Sequence, residues 1–258
     1  MGWKGITQTE AGASERIYVT VPLFQTITTI ELSTRCDLAC KYCINRLMEP
    51  AGRKRIIMDD RVFMASIDLL HDLCLRGTQH EVNLNGNGES CLDIQLPARV
   101  RIVCDIMGAR PVSFSTNGVS MTRDLAKALR DAGLKEISLS PHSPYHARTA
   151  AIYLLEAGIN VTINLGPIAS SHNWAGQLEP EHCVPYVRPL RCDPIIEGRG
   201  YIQAEGDITP CCYDYRSMGT FGTVFDKDIF DREPKPFDLC KTCHQVIPQD
   251  LRLEAVAC

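Results

Sequence analysis

Three cysteines within eight residues, Cys36-Asp-Leu-Ala-Cys40-Lys-Tyr-Cys43, constrain this chain more than any other feature. Gaps of three and then two residues let a tight loop aim three thiolates at one centre. An iron–sulfur cubane takes four protein thiolates, one per iron, so three leave one iron open to a small molecule. Structural zinc also needs four ligands, and no fourth Cys or His follows closely; the next candidate is His71. Disulfides belong to oxidising compartments, and Met1-Gly-Trp-Lys-Gly5 has no apolar stretch of signal-peptide type. Ile6 breaks the myristoylation pattern, and no run is long and apolar enough to span a bilayer. The chain is therefore expected in the cytoplasm, with clustered cysteines among its 13 read as metal ligands.

A length of 258 residues, 45% of them hydrophobic and 22% charged, suits one large α/β domain with a small appendage. A net charge of −4 with mixed signs gives no footprint for nucleic acid or an anionic membrane. The short basic run Arg53-Lys54-Arg55 reads as a solvated loop. After a polar arm (1–22), strands are predicted at 27–32, 81–84, 112–115, 136–139 and 159–165. Helices are predicted between them, from Asp59-Asp60 to about Leu75, from Pro97 to Ile106, from an Asp124 cap to Gly133, and from Ala147 to Ala157. Phe63, Ile67, Leu70 and Cys74 share one apolar helix face, which makes Cys74 a core residue. Strand–helix alternation with short turns means a parallel sheet with right-handed crossovers. The cysteine loop falls at the C-terminal end of the first strand, where parallel α/β folds carry their chemistry.

The triad, with aromatic Tyr42 before its last cysteine, resembles the signature of the radical S-adenosylmethionine (SAM) enzymes. That resemblance implies a partial (β/α)6 barrel over 23–185, a 4Fe–4S cluster on Cys36, Cys40 and Cys43, and SAM chelated at the open iron. It implies reductive cleavage of SAM to a 5′-deoxyadenosyl radical, with a reducing partner such as flavodoxin or ferredoxin. Asn87-Gly88-Glu89 sits after the second strand, where the family carries a Gly-Gly-Glu-like motif for the SAM amino group; here Asn replaces the first glycine. Ser115-Thr116-Asn117-Gly118 matches a recurrent strand ending beside the SAM methionine or ribose, and an Asn-Gly turn is its plain alternative. Ser138, Ser140 and Asn164 are further candidate SAM contacts by the same resemblance. His142, between two prolines, either faces substrate or is an exposed loop histidine. Cys91 is either a cavity hydrogen-atom donor or a buried apolar cysteine.

After Ser170 prolines interrupt the periodicity and a second cysteine set appears. From Cys192, 13 residues lead to Gly206 and four more to Cys211, and Cys240 and Cys243 form a Cys-x-x-Cys pair. A hairpin is predicted over Tyr201–Ala204 and Asp207–Thr209, turning at Glu205-Gly206. This spacing resembles the short, twitch form of the SPASM/twitch appendage (186–258), with one auxiliary 4Fe–4S cluster. Cys212 could replace Cys211 as ligand, and a zinc ribbon is the structural alternative. Cys104 and Cys183 have no motif partners.

A fully Cys-ligated auxiliary cluster can accept an electron, so the layout implies oxidation of a small polar substrate, an oxidoreductase activity. It is similar in layout to the 2-deoxy-scyllo-inosamine dehydrogenases. Peptide modification (crosslinking, thioether formation or epimerisation) is the second expectation, and a non-catalytic iron–sulfur or zinc protein the third. Asp193, Asp214 and Arg216 near the second cysteines could bind polar groups or deprotonate a radical. Trp174, Tyr186, Tyr213 and Tyr215 are read as packing.

Overall fold

A computed structural model describes residues 22–164, 174, 175, 177, 190–241, 243, 245 and 246. The arm, the boundary at 185/186, Cys183 and Tyr186 lie outside the described residues. A wall of parallel strands runs through the molecule: β1 (Thr26–Ile30), β2 (Val82–Asn83), β3 (Val112–Ser113), β4 (Ser115–Thr116), β5 (Glu136–Leu139) and β6 (Asn160–Ile163). β1 pairs with β2 and β2 with β3, while β4 pairs with β5 and β5 with β6, all in parallel. Fully buried Phe114 joins β3 to β4 where the wall bends from one sheet into the next. The five strands predicted from the sequence are thus present, the third of them in two parts, β3 and β4, that belong to different sheets.

Each crossover is a helix whose ends are written in the sequence. In α1 (Asp60–Arg76) the Asp59 carboxylate accepts the Arg61 N–H at 2.8 Å, and Gly77 takes the left-handed turn at φ 74°. Its inner face buries Phe63, Ile67, Leu70 and Leu73, with Cys74 packed beside them. α2 (Leu96–Met107) carries Pro97 in its first turn, and α4 (Pro144–Ala157) starts on a proline and stops at left-handed Gly158. α3 (Arg123–Asp131) is capped by Thr122, which accepts the Leu125 N–H at 3.1 Å; the predicted cap, Asp124, lies inside the first turn instead. The Thr122 hydroxyl precedes the acidic residue and takes the capping position, leaving Asp124 to face the positive end of the helix. Among the described residues no helix is long and apolar enough to cross a membrane.

The C-terminal part does not stand apart from this wall. After α5 (Asp193–Ile196), β8 (Arg199–Ile202) pairs in parallel with β1, on the edge opposite β2. β9 (Asp207–Thr209) and β10 (Gly222–Thr223) then extend the sheet antiparallel. β7 (Leu190–Arg191) and β11 (Gln245–Val246) form a separate parallel pair. The predicted hairpin is therefore real, and it continues the sheet that carries the first cysteine loop.

Candidate functional site

One cavity of about 230 Å³ opens at the C-terminal ends of the strands. Cys36, Cys40 and Cys43 line it together with Asn87, Gly88, Glu89, Ser115, Asn117, Ser140, His142, Asn164, Tyr42 and Trp174. Most of these residues come from the loop after β1, the turn after β2, and the ends of β4, β5 and β6. Cys36 and Asn164 are far apart in the chain, and the parallel topology brings them to one mouth.

The loops are tied to one another. Glu89 N–H donates to the Arg35 carbonyl at 2.6 Å, and Asn45 Nδ2 donates to the Asn87 carbonyl at 2.7 Å and the Thr34 carbonyl at 2.9 Å. A Cβ on Gly88 would sit 2.3 Å from the Ser33 carbonyl oxygen, so that turn touches the cysteine loop backbone to backbone. Asp37 accepts from Asn117 Nδ2 at 2.6 Å and from Ser120 Oγ at 2.7 Å, clamping the cysteine loop to the end of β4.

Glu89 is buried, and its carboxylate accepts from Cys91 N–H (3.1 Å), Thr116 Oγ1 (2.9 Å) and Asn117 N–H (2.8 Å). Burial raises its pKa, and the Asn117 and Cys91 N–H groups oppose that. A buried carboxylate at the cavity wall suits a bound ammonium group, which would favour its charged form.

Burial also pushes the Cys36 thiol up to about 11 and raises Cys43, against the N–H groups of Leu38 and Asn45. A metal cation would reverse this by deprotonating both. Among the described residues no three such side chains converge as a single ion would need. Three thiols lining one cavity match the one-thiolate-per-iron ligation of an iron–sulfur cubane with one iron left open.

The Tyr42 phenol lies 2.7 Å from His142 Nδ1. Burial and its hydrogen bond to Cys40 push Tyr42 up to about 12, and burial lowers His142 below the ordinary imidazole value. Trp174 Nε1 donates to the Tyr42 carbonyl at 3.0 Å, and its ring stands edge-on to Tyr213, with centroids 5.4 Å apart. Trp174 therefore walls the cavity, whereas Tyr215 packs against Ile44 and Met48, as expected of a core aromatic.

In the C-terminal part Cys192, Cys211, Cys212, Cys240 and Cys243 lie near enough that ionising one would raise the pKa of others. Burial first raises the thiols of Cys192, Cys211 and Cys240, whereas Cys212 is exposed. Cys211 Sγ accepts the Tyr213 N–H and Cys240 Sγ the Phe237 N–H, each at 3.4 Å. Both Cys211 and Cys212 lie within electrostatic reach of Cys192 and Cys243, so adjacency in sequence is matched by adjacency in space.

Five candidates stand outside the cavity, Asp193 at the start of α5 among them. Asp214 is buried and its carboxylate accepts the N–H groups of Met218 (3.0 Å) and Gly219 (2.7 Å), closing a turn. The Arg216 guanidinium donates to Tyr215 Oη at 2.9 Å. Cys91 Sγ meets Thr116 Oγ1 at 3.4 Å behind the cavity wall, and Ser138 is held in the middle of β5. The basic run is corrected too: Arg53 is buried on Glu31 and Glu205, whereas Lys54 is exposed. Sequence reasoning passed over Glu31, for which an acid at the end of an apolar strand was the available signal.

The Radical SAM superfamily profile matches residues 30–165, more than half of the chain. GTP 3′,8-cyclase of Aquifex aeolicus is 27% identical over 144 residues, which is 55% of this chain and 41% of that protein. GTP 3′,8-cyclase of Limosilactobacillus fermentum is 31% identical over 112 residues, 43% of this chain and 32% of that protein. The chain thus spans a third to two-fifths of the length of these curated relatives. Of solved structures, BtrN in complex with AdoMet and 2-DOIA superposes with TM-score 0.65 at 18% identity, covering 82% of this chain and 83% of that one. The protein anSMEcpe with bound AdoMet gives TM-score 0.53 at 13% identity, covering 86% and 83%. At such identities the likeness is one of fold.

Proposed function

Because the chain belongs to the radical SAM superfamily, we propose that it dehydrogenates a small polar substrate at a carbon bearing a hydroxyl or amino group. It is a radical SAM enzyme, and the family implies SAM, a 4Fe–4S cluster, a small-molecule substrate and a one-electron reductant. The observation that carries the reading is the meeting of three thiols and four strand ends on one cavity, with further cysteines in the C-terminal part, of which Cys211 follows the adjoining hairpin.

Cys36, Cys40 and Cys43 would hold the cluster, and Glu89 with the Asn87-Gly88 backbone would hold the ammonium of SAM. The pair supplies one-electron cleavage of the sulfonium and a carbon radical that takes one hydrogen atom from substrate. Dehydrogenation must also remove one proton and one electron. His142 is proposed as the proton acceptor: its ring lines the cavity and its Nδ1 lies 2.7 Å from the Tyr42 phenol, and the role calls for the tautomer in which Nδ1–H donates to Tyr42 and Nε2 is the base. Cys192, Cys211, Cys240 and Cys243 would hold the electron acceptor, an auxiliary iron–sulfur cluster, with Cys212 as the alternative to Cys211.

The cyclase name belongs to longer relatives whose substrate is a nucleoside triphosphate. Among the described residues lining this cavity, Arg46 is the one guanidinium or ammonium group. The described lining thus suits a less anionic substrate than a triphosphate.

The test compares SAM cleavage with product formation on the reconstituted enzyme. Cys36→Ala should abolish both. Cys240→Ala and Cys243→Ala should retain SAM cleavage while product falls below detection. Full turnover in either C-terminal variant would remove the electron-acceptor reading and leave a redox-neutral radical reaction.

A further inference from the structure

Glu31 directly follows β1, is fully buried, and collects donors from three separate parts of the chain. Its Oε1 accepts from Asn87 N–H at 2.8 Å, Asn87 Nδ2 at 3.2 Å and Tyr201 Oη at 3.1 Å. Its Oε2 accepts from Ala204 N–H at 3.1 Å and pairs with the Arg53 guanidinium. Arg53 continues to Glu205, with contacts of 3.0 Å and 2.7 Å. Burial works against the Arg53 charge, but the two carboxylates outweigh it and raise its pKa.

A buried ion pair is weak evidence for stability, since desolvation offsets the attraction; its better-attested use is to fix one arrangement over others. Here the arrangement is the seat of the turn after β2 on the C-terminal hairpin. Gly86 underlines how close that seat is: a Cβ there would fall 2.2 Å from Tyr201 Oη and 2.3 Å from Glu31 Cγ. Asn87 thus has its N–H and side chain on the hub, and its carbonyl held by Asn45 beside the cavity. Tyr201, Ala204 and Glu205 belong to the hairpin that leads, through β9, to Cys211.

We propose that Glu31 is a positioning residue through which docking of the β8–β9 hairpin sets the Asn87-Gly88-Glu89 turn and so the affinity for SAM. The proposal rests on the reading of that turn as the SAM ammonium site. It means that the hairpin leading to Cys211 and the SAM pocket share one carboxylate, so what loosens the hairpin weakens SAM binding, and the reverse holds by linkage.

Tyr201→Phe is the probe, because it keeps the ring and removes one hydroxyl that touches Glu31 and not the cavity. SAM binding to the reconstituted holoenzyme is measured by equilibrium dialysis, beside KM for SAM, kcat at saturating SAM, iron content and thermal midpoint. Kd and KM for SAM should rise about 3- to 10-fold, with kcat and iron content unchanged. Glu205→Gln, at the more exposed end of the network, should shift Kd the same way by less. Glu31→Gln combined with Tyr201→Phe should weaken SAM by less than the product of the two single effects. A lowered thermal midpoint with unchanged SAM affinity in both single variants would make the hub merely structural and overturn the proposal. Failure of the wild-type holoenzyme to bind SAM would instead overturn the functional reading, and this proposal with it.

Discussion

His142 owes its proposed part to position and to its partner. Its ring lines the cavity, Tyr42 fixes one nitrogen, and burial lowers its pKa from the ordinary value near 6.5. A lowered pKa means that the neutral, proton-accepting form prevails at pH 7. Product formation at saturating substrate should therefore fall only as pH drops below about 6.5, and stay flat above it. His142→Gln should lower kcat for product by about 100-fold and abolish that acidic limb, while SAM cleavage continues. A wild-type limb that survives in the variant would assign the proton to another group. The same scale shows what residue types could and could not reveal. The strand-end candidates Glu89, Asn117, Ser140 and Asn164 reach the cavity because each follows a parallel strand, which periodicity reads well. Asp214 and Cys91 have the right chemistry and the wrong direction, one closing a turn and one behind the wall. Direction of a loop side chain is set by contacts many residues away, and no local pattern encodes it.

At the scale of elements, β1 is the hinge of the architecture, flanked by β2 on one edge and β8 on the other. Its pairing with β8 shifts register between Ile27 and Thr29. The buried Gln79 side chain fills in at Ile27, accepting its N–H at 2.9 Å and donating to its carbonyl at 2.6 Å. Gln79→Ala would leave that N–H and C=O buried without partners, at about 1–3 kcal/mol each. Chemical denaturation should show stability lowered by about 2–4 kcal/mol with an unchanged m-value. A loss under about 0.5 kcal/mol would mean that water or a strand shift replaces the amide. The helices and their stops could be read from Asp59, Gly77, Pro144 and Gly158, because caps act within one turn. Gln79 and Glu31 could not, because their partners lie 52 and 170 positions away. Likewise the hairpin was visible in its own residues, while its edge-to-edge union with β1 is a long-range pairing that leaves no local mark.

For the whole molecule, one sheet carries both the first cysteine loop and the loop of Cys211. Cys36, Cys40 and Cys43 follow β1, and Cys211 follows β9, two strands away through β8. Trp174 and Tyr213, in edge-on contact, bridge from the cavity wall to the loop that carries the second set. If both sets hold cubanes, the anaerobically reconstituted chain should carry about eight irons and eight acid-labile sulfides. A variant lacking Cys36, Cys40 and Cys43 should keep about four, and one lacking Cys192, Cys211, Cys240 and Cys243 should also keep about four. The two losses differ in consequence. Removing the first set leaves the hub at Glu31 intact, so the hairpin should stay docked and the second cluster should load fully. Removing the second set frees the hairpin at its far end, so the first cluster should load while SAM binds more weakly. About four irons in the wild type falling to none without the first set, with zinc retained, would make the C-terminal cage structural. The substrate radical would then have no resident electron acceptor, and a redox-neutral rearrangement or epimerisation would replace dehydrogenation.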